Sequence, residues 1–122
     1  MVLGTLNKAS GRGSSVTGGG GNAASGSGST IGGGIWNHAS GSSSFIGGGQ
    51  NSDATAQNAS VLGGSNNLAS GFSATVSGGY ENVASEFSSS VSGGRGNTAS
   101  GYGSSILGGQ SVTVSTTYGT SP

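Results

Sequence analysis

β-branched residues return at a fixed interval along this chain. Val16, Ile31, Ile46, Val61, Val76, Val91 and Ile106 stand fifteen residues apart, and an alanine precedes each by seven: Ala9, Ala24, Ala39, Ala54, Ala69, Ala84 and Ala99. The polar positions keep the same beat. The unit reads Asn-x-Ala-Ser-Gly-x-x-Ser-Ser-Val-x-Gly-Gly-x-x, with copies starting at Asn7, Asn22, Asn37, Ser52, Asn67, Asn82 and Asn97. A fixed period of this size marks a solenoid, in which each copy makes one turn and stacks on the last. The pattern predicts an all-β, parallel β-solenoid of seven 15-residue coils over residues 1–110, with residues 111–122 as a C-terminal strand or cap.

Within each coil the pattern predicts two short strands, one across Asn-x-Ala-Ser and one across Ser-Ser-Val. Side chains alternate between faces along a strand. With Ala inward, the Asn, the first corner Gly and the Val/Ile position share the inside. Ala59 and Ala74 replace Ser two residues before the β-branched position, which supports that assignment. The predicted core is therefore Val16, Ile31, Ile46, Val61, Val76, Val91 and Ile106. Gly11, Gly26, Gly41, Gly71 and Gly101 should close the first strand, and a Gly-Gly pair the second, with positive φ as the reason for glycine at both corners. The repeated Asn has two readings that spacing leaves open: a ladder of amides exchanging hydrogen bonds between levels, or a turn residue tolerant of αL.

The outward positions divide into two kinds. Ser10, Ser25, Ser40, Thr55, Ser70, Ser85 and Ser100 stay small and hydroxylated in every coil. Solvent imposes no such uniformity, whereas packing against a neighbouring rod does, so this rank is the expected inter-chain surface. The interior is too thin for a lone rod to be secure, which points the same way. Other outward positions vary freely. Phe72, Phe87 and Tyr102 fall at one corner of three successive coils and should form a stacked stripe, with Tyr80 as a candidate neighbour. Such a stripe is either a contact surface for sugars or proteins or packing between chains.

Charge removes several classes of function. Three basic and three acidic residues leave no net charge, so the clustered Lys and Arg of a nucleic-acid binder are missing. No stretch approaches a membrane span, so direct membrane insertion is not expected. There is no Cys, and redox compartment is unconstrained. No signal peptide precedes the first repeat at Asn7, so the expectation is a fragment of a longer protein or a part delivered by another route. Twenty-nine glycines with one proline lack the every-third-residue rule of collagen, and a linker would not hold Ala in register.

Residues Asn67 to Gly79 and Asn97 to Gly109 resemble the head repeats of trimeric autotransporter adhesins, the YadA-like head family, and similar repeats in bacteriophage tail fibres. The resemblance runs nearly to Gln110. It implies a left-handed β-roll, three chains side by side, and attachment outside the cell. The unit here is one residue longer than the usual repeat, Val or Ile stands where the family often has Ala, and a Gly pair replaces a single Gly. The anchor barrel and coiled-coil stalk of the autotransporters are not present in these residues.

Catalytic chemistry is not expected. His38, the one His, and Asp53 fall at the same outward position one coil apart, and with serines nearby a hydrolytic triad can be drawn. No groove able to exclude water is suggested, and the pair reads as exposed and of little consequence. Metal is not expected either: calcium-binding β-rolls place Asp at every turn, and Asp53 is the single Asp. No glycine run has a P-loop or dinucleotide spacing, so no cofactor is expected. The sequence expectation is a structural and adhesive segment of a homotrimeric extracellular, cell-surface or virion fibre that meets a host-surface glycan or protein receptor. Two alternatives stand beside it: an ice-binding solenoid using the Ser rank, and a self-assembling structural filament subunit.

Overall fold

The computed structural model describes residues 2–122. It is a parallel β-solenoid without helices among the described residues. Sixteen two-residue strands among those residues alternate between two eight-stranded parallel sheets. In the first seven coils one sheet carries the Ala and the other the Val or Ile; in the last their places are taken by Val114 and Ser121. Register follows the sequence period: Ala69 pairs with Ala84, and Val76 with Val91. Two-residue strands suffice because the hydrogen bonds run past their ends, as in Ser70 N to Ala84 O at 2.9 Å and Ser77 N to Val91 O at 2.9 Å.

A third ladder, absent from the two-strand expectation, closes each turn. Single residues at the far corner bridge in series, Gly20 to Ile35, Gln50, Ser65, Tyr80, Arg95 and Gln110. Each coil is thus tied to the next at three places. The stack also holds about eight coils, one more than the consensus pattern gives. Residues beyond Ser111 wind a further turn, in which Thr113 and Val114 pair with Thr98 and Ala99, and Thr120 and Ser121 pair with Ser105 and Ile106. The consensus Asn and Ala are lost there, but Val112 and Val114 preserve the inward alternation and pack partly buried against the core. At about 4.8 Å per coil, eight coils make a rod roughly 38 Å long.

Inside, Val16, Ile31, Ile46, Val61, Val76, Val91 and Ile106 are fully buried, as are Ala59 and Ala74. Beside them runs a polar column. Asn22, Asn37, Asn67, Asn82 and Asn97 are buried, with Ser52 in the place of one Asn. The column is a ladder, but its rungs are amide to backbone, not amide to amide. Asn82 Oδ1 accepts from the Asn97 main-chain N–H at 2.9 Å, while Asn82 Nδ2 donates to the Gly78 and Gly94 carbonyls at 2.9 and 3.0 Å. A side-chain amide matches both needs of a corner whose carbonyls and N–H have left the sheet ladder. Ser52 does part of the same work, its hydroxyl accepting from Asn67 N–H at 3.2 Å.

The glycines divide by cause, and positive φ does not account for both corners. The corner glycines Gly26, Gly41 and Gly71 do not have positive φ; a Cβ on them would lie 1.9–2.1 Å from a carbonyl oxygen of the next coil. Ala56 and Glu86 occupy that corner in their own coils, and there the N–H drops the inter-coil bond that Gly41 N makes to Ala54 O, Glu86 N–H turning to Ser89 Oγ instead. In the Gly-Gly pairs only the second residue has positive φ, as at Gly79 (+87°), where a Cβ would also meet Gly94 O at 2.3 Å. The first of each pair has neither constraint.

Candidate functional site

With the interior filled by its own ladders, any site lies on the outer surface. The most ordered outward feature is the aromatic corner. Phe72 and Phe87 stack with ring centroids 5.2 Å apart and planes 5° from parallel, and Phe87 and Tyr102 do so at 5.0 Å and 3°. Their Cα atoms sit one coil apart, so the same rotamer repeated at the coil spacing produces the stack without adjustment. Tyr118 closes it edge-on against Tyr102 at 5.6 Å and 89°. The three stacked rings are each about 40% exposed (41%, 40% and 43%), so they form a ridge. Both faces of Phe87 are covered by its neighbours, and what the ridge offers outward is ring edges.

Tyr80 is not part of this ridge. It belongs to the third ladder, where its ring lies under the Arg95 guanidinium at 5.4 Å from the centroid. Arg95 therefore engages the aromatic face on the adjacent coil. Tyr118, which completes the stack, was not among the residues singled out from sequence. Carrying the fifteen-residue count into the tail would have placed it one position beyond the corner of Tyr102. It reaches back because its backbone is left-handed (φ 54°), over Gly103, where a Cβ would meet the Tyr118 ring at 2.7 Å.

The hydroxyl rank Ser10, Ser25, Ser40, Thr55, Ser70, Ser85 and Ser100 lies on the outer side of the alanine sheet, exposed or half-buried throughout. Ser25 is engaged within the chain, its Oγ 3.2 Å from His38 Nε2. His38 and Asp53 are register partners on adjacent coils, so Ser25, His38 and Asp53 follow one another along the same sheet. The geometry stops short of a triad. Among the described residues no hydrogen bond or ion pair joins Asp53 to His38, so the imidazole lacks the third group that would fix its tautomer and orientation. Ser25 and His38 are both exposed to solvent.

A second rank is more regular still. Gly18, Gly33, Gly48, Gly63, Gly78, Gly93 and Gly108, the first glycines of the seven pairs, run the length of the rod. A Cβ on any of them would have nothing within 4 Å, and none has positive φ. Nothing inside the chain requires glycine there. No protein-family model matches this sequence, and no curated protein matches it.

Proposed function

We propose that this chain is a structural and adhesive segment of a fibre, with three copies side by side, working at a cell surface or on a virion. The observation that carries the reading is the first-glycine rank. Seven positions that could hold any side chain hold none, while other outward positions, such as those of Phe72, Leu62 and Trp36, vary freely from coil to coil. A neighbouring rod lying close against that edge supplies the missing reason, and the uniform Ser rank fits the same contact. Rods with a common coil spacing pack in register, so one small residue per coil gives a continuous seam.

The aromatic ridge is the attachment surface in this reading. Sugar rings stack on open aromatic faces, and here both faces of Phe87 and one face each of Phe72 and Tyr102 are taken up by the stack. Exposed edges with an apolar body suit a protein receptor, where aromatic anchors dominate contact energy. The role is mechanical: a rigid spacer that holds this ridge away from its base.

Sedimentation of the purified chain tests the association directly, with threefold the chain mass expected. The paired variant Gly78→Val with Gly93→Val leaves the single chain its room but obstructs the seam, so it should sediment at the chain mass with an unchanged circular-dichroism spectrum. A wild-type chain that is monomeric at high concentration overturns the reading.

A further inference from the structure

One outward corner of the rod is vacant. At the third ladder the other full coils present two side chains, such as Ile35–Trp36, Gln50–Asn51 and Tyr80–Glu81, or one, at Arg95–Gly96, but the first full coil presents Gly20–Gly21 and has neither. A whole layer of side chains is therefore missing between Thr5–Leu6 on one side and Ile35–Trp36 on the other. These flanking layers lie two coils apart, about 9.6 Å. The Trp36 indole reclines over Gly21: a Cβ there would sit 2.5–2.7 Å from three atoms of its six-membered ring. Gly20 stays uncovered, with only the Thr5 carbonyl, at 3.7 Å, near its Cβ position.

The result is an open-sided cavity of about 390 Å³ walled by Leu6, Ile35 and Trp36 and floored by Gly19, Gly20 and Gly21. That volume is within the range of small-molecule sites. No ionisable side chain lines it, and Thr5 supplies its one hydroxyl. We infer that this cavity is a binding site for a small uncharged apolar ring, aromatic or alicyclic, that takes the place of the missing side chain over Gly20.

Three features select that class of ligand. The lining offers no counter-charge, so an ion entering it would lose hydration without compensation. It offers too few hydrogen-bond partners for a sugar. Over Gly20 the vacant layer also has the height of one ring: its ladder neighbours Thr5 and Ile35 lie one coil away on either side, and the chain's own aromatic column stacks at 5.0–5.2 Å per coil. The inference is independent of the fibre reading, since every lining residue belongs to one chain.

Trp36 is the single tryptophan, so its indole N–H gives one resonance that reports on the site. The test is a titration of the full chain with benzyl alcohol, alongside methyl glucoside as a polar ring of similar size. The expected result is a saturable shift of that resonance with benzyl alcohol and none with the glucoside. Gly20→Ile should weaken the binding by about tenfold or more. Isoleucine is acceptable there because Ile35 occupies the next position in the same ladder. Gly20→Gln, which copies the residue that Gln50 supplies two coils along, serves as a second variant should the first fold poorly. A shift that grows linearly without saturating, an equal response to the glucoside, or undiminished binding by a folded Gly20 variant overturns the inference. So does an indole resonance that moves with protein concentration alone, in step with sedimenting mass, and resists benzyl alcohol, because the cavity is then filled by another copy.

Discussion

Replacing Asn82 by alanine removes three hydrogen bonds at one point of the polar column. The Asn97 N–H loses its acceptor at 2.9 Å, and the Gly78 carbonyl its donor at 2.9 Å; neither has another partner among the described residues. The Gly94 carbonyl keeps the bond from Tyr80 N–H at 3.0 Å and loses only the second. The Asn97 N–H is thus orphaned in the interior, the Gly78 carbonyl is left without a partner at a half-buried corner, and the third group is merely reduced. An orphaned buried group costs about 1–3 kcal/mol and a bond lost where water can enter about 1 kcal/mol or less, so the expected loss is about 1–4 kcal/mol. Asn82→Ser should cost less, because Ser52 shows that a hydroxyl can still accept from the following coil. Urea unfolding followed by circular dichroism gives the total. Hydrogen exchange at the Asn97 amide gives the local part, where a change of about 2 kcal/mol is an acceleration of about thirtyfold. A loss below about 0.5 kcal/mol, with exchange at Asn97 unchanged, would show that the column is a passenger and that the sheets alone hold the coils together.

Adjacent glycines should respond in opposite ways. Gly79→Ala forces a Cβ into a left-handed residue and against Gly94 O at 2.3 Å, and should cost several kcal/mol or prevent folding, whereas Gly78→Ala has open space and should stay within about 1 kcal/mol of wild type in urea unfolding. Ser44 is buried with its Oγ unpartnered, so Ser44→Ala should be neutral or stabilising, while Ser29→Ala, which loses a 2.7 Å bond to Gly26 O, should cost about 1 kcal/mol by the same measurement. Phe87→Ala removes the middle ring of the stack and should cost about 1–3 kcal/mol in unfolding, with loss of near-ultraviolet dichroism from the remaining rings.

Much of this fold was legible because the period is regular and the inward set is chemically distinct. Ala69 over Ala84 and Val76 over Val91 follow from counting alone. The third ladder was not legible, for a physical reason: Gly20, Ile35, Gln50, Ser65, Tyr80 and Arg95 share no side-chain chemistry, and backbone pairing does not need them to. The eighth coil hid behind a change of consensus, since Val112 and Val114 keep the alternation but not the residues. Glycine was visible as a fixed letter, while its cause was not. Close approach at Gly41, left-handed backbone at Gly79 and an empty outer edge at Gly78 look alike in sequence and differ in geometry. On the surface, the Phe72–Phe87–Tyr102 stripe was evident from spacing, but the cavity over Gly20 was not, because it is made by missing side chains.

The two interior columns divide the work of specifying this stack. The apolar one is narrow and nearly uniform, a Val or Ile per coil beside small residues, and a chain sliding by a whole coil would bury almost the same surface. A slide by a single residue is another matter. It would turn every inward side chain outward, and it would also set each buried Asn amide against the wrong main-chain groups. Asn37 Oδ1 meets Ser52 N–H at 3.0 Å and Asn67 Oδ1 meets Asn82 N–H at 2.9 Å, each fifteen residues along, so the amide measures the coil length directly. Buried polar groups penalise mismatch more steeply than methyl groups do, because an unpaired one keeps its full desolvation cost. The Asn column therefore acts as the gauge of the repeat, and the β-branched column as the surface it keeps aligned. A gauge of this kind holds outward features in register too, which is why rings on separate coils can stand within 5° of parallel with nothing but the backbone joining them.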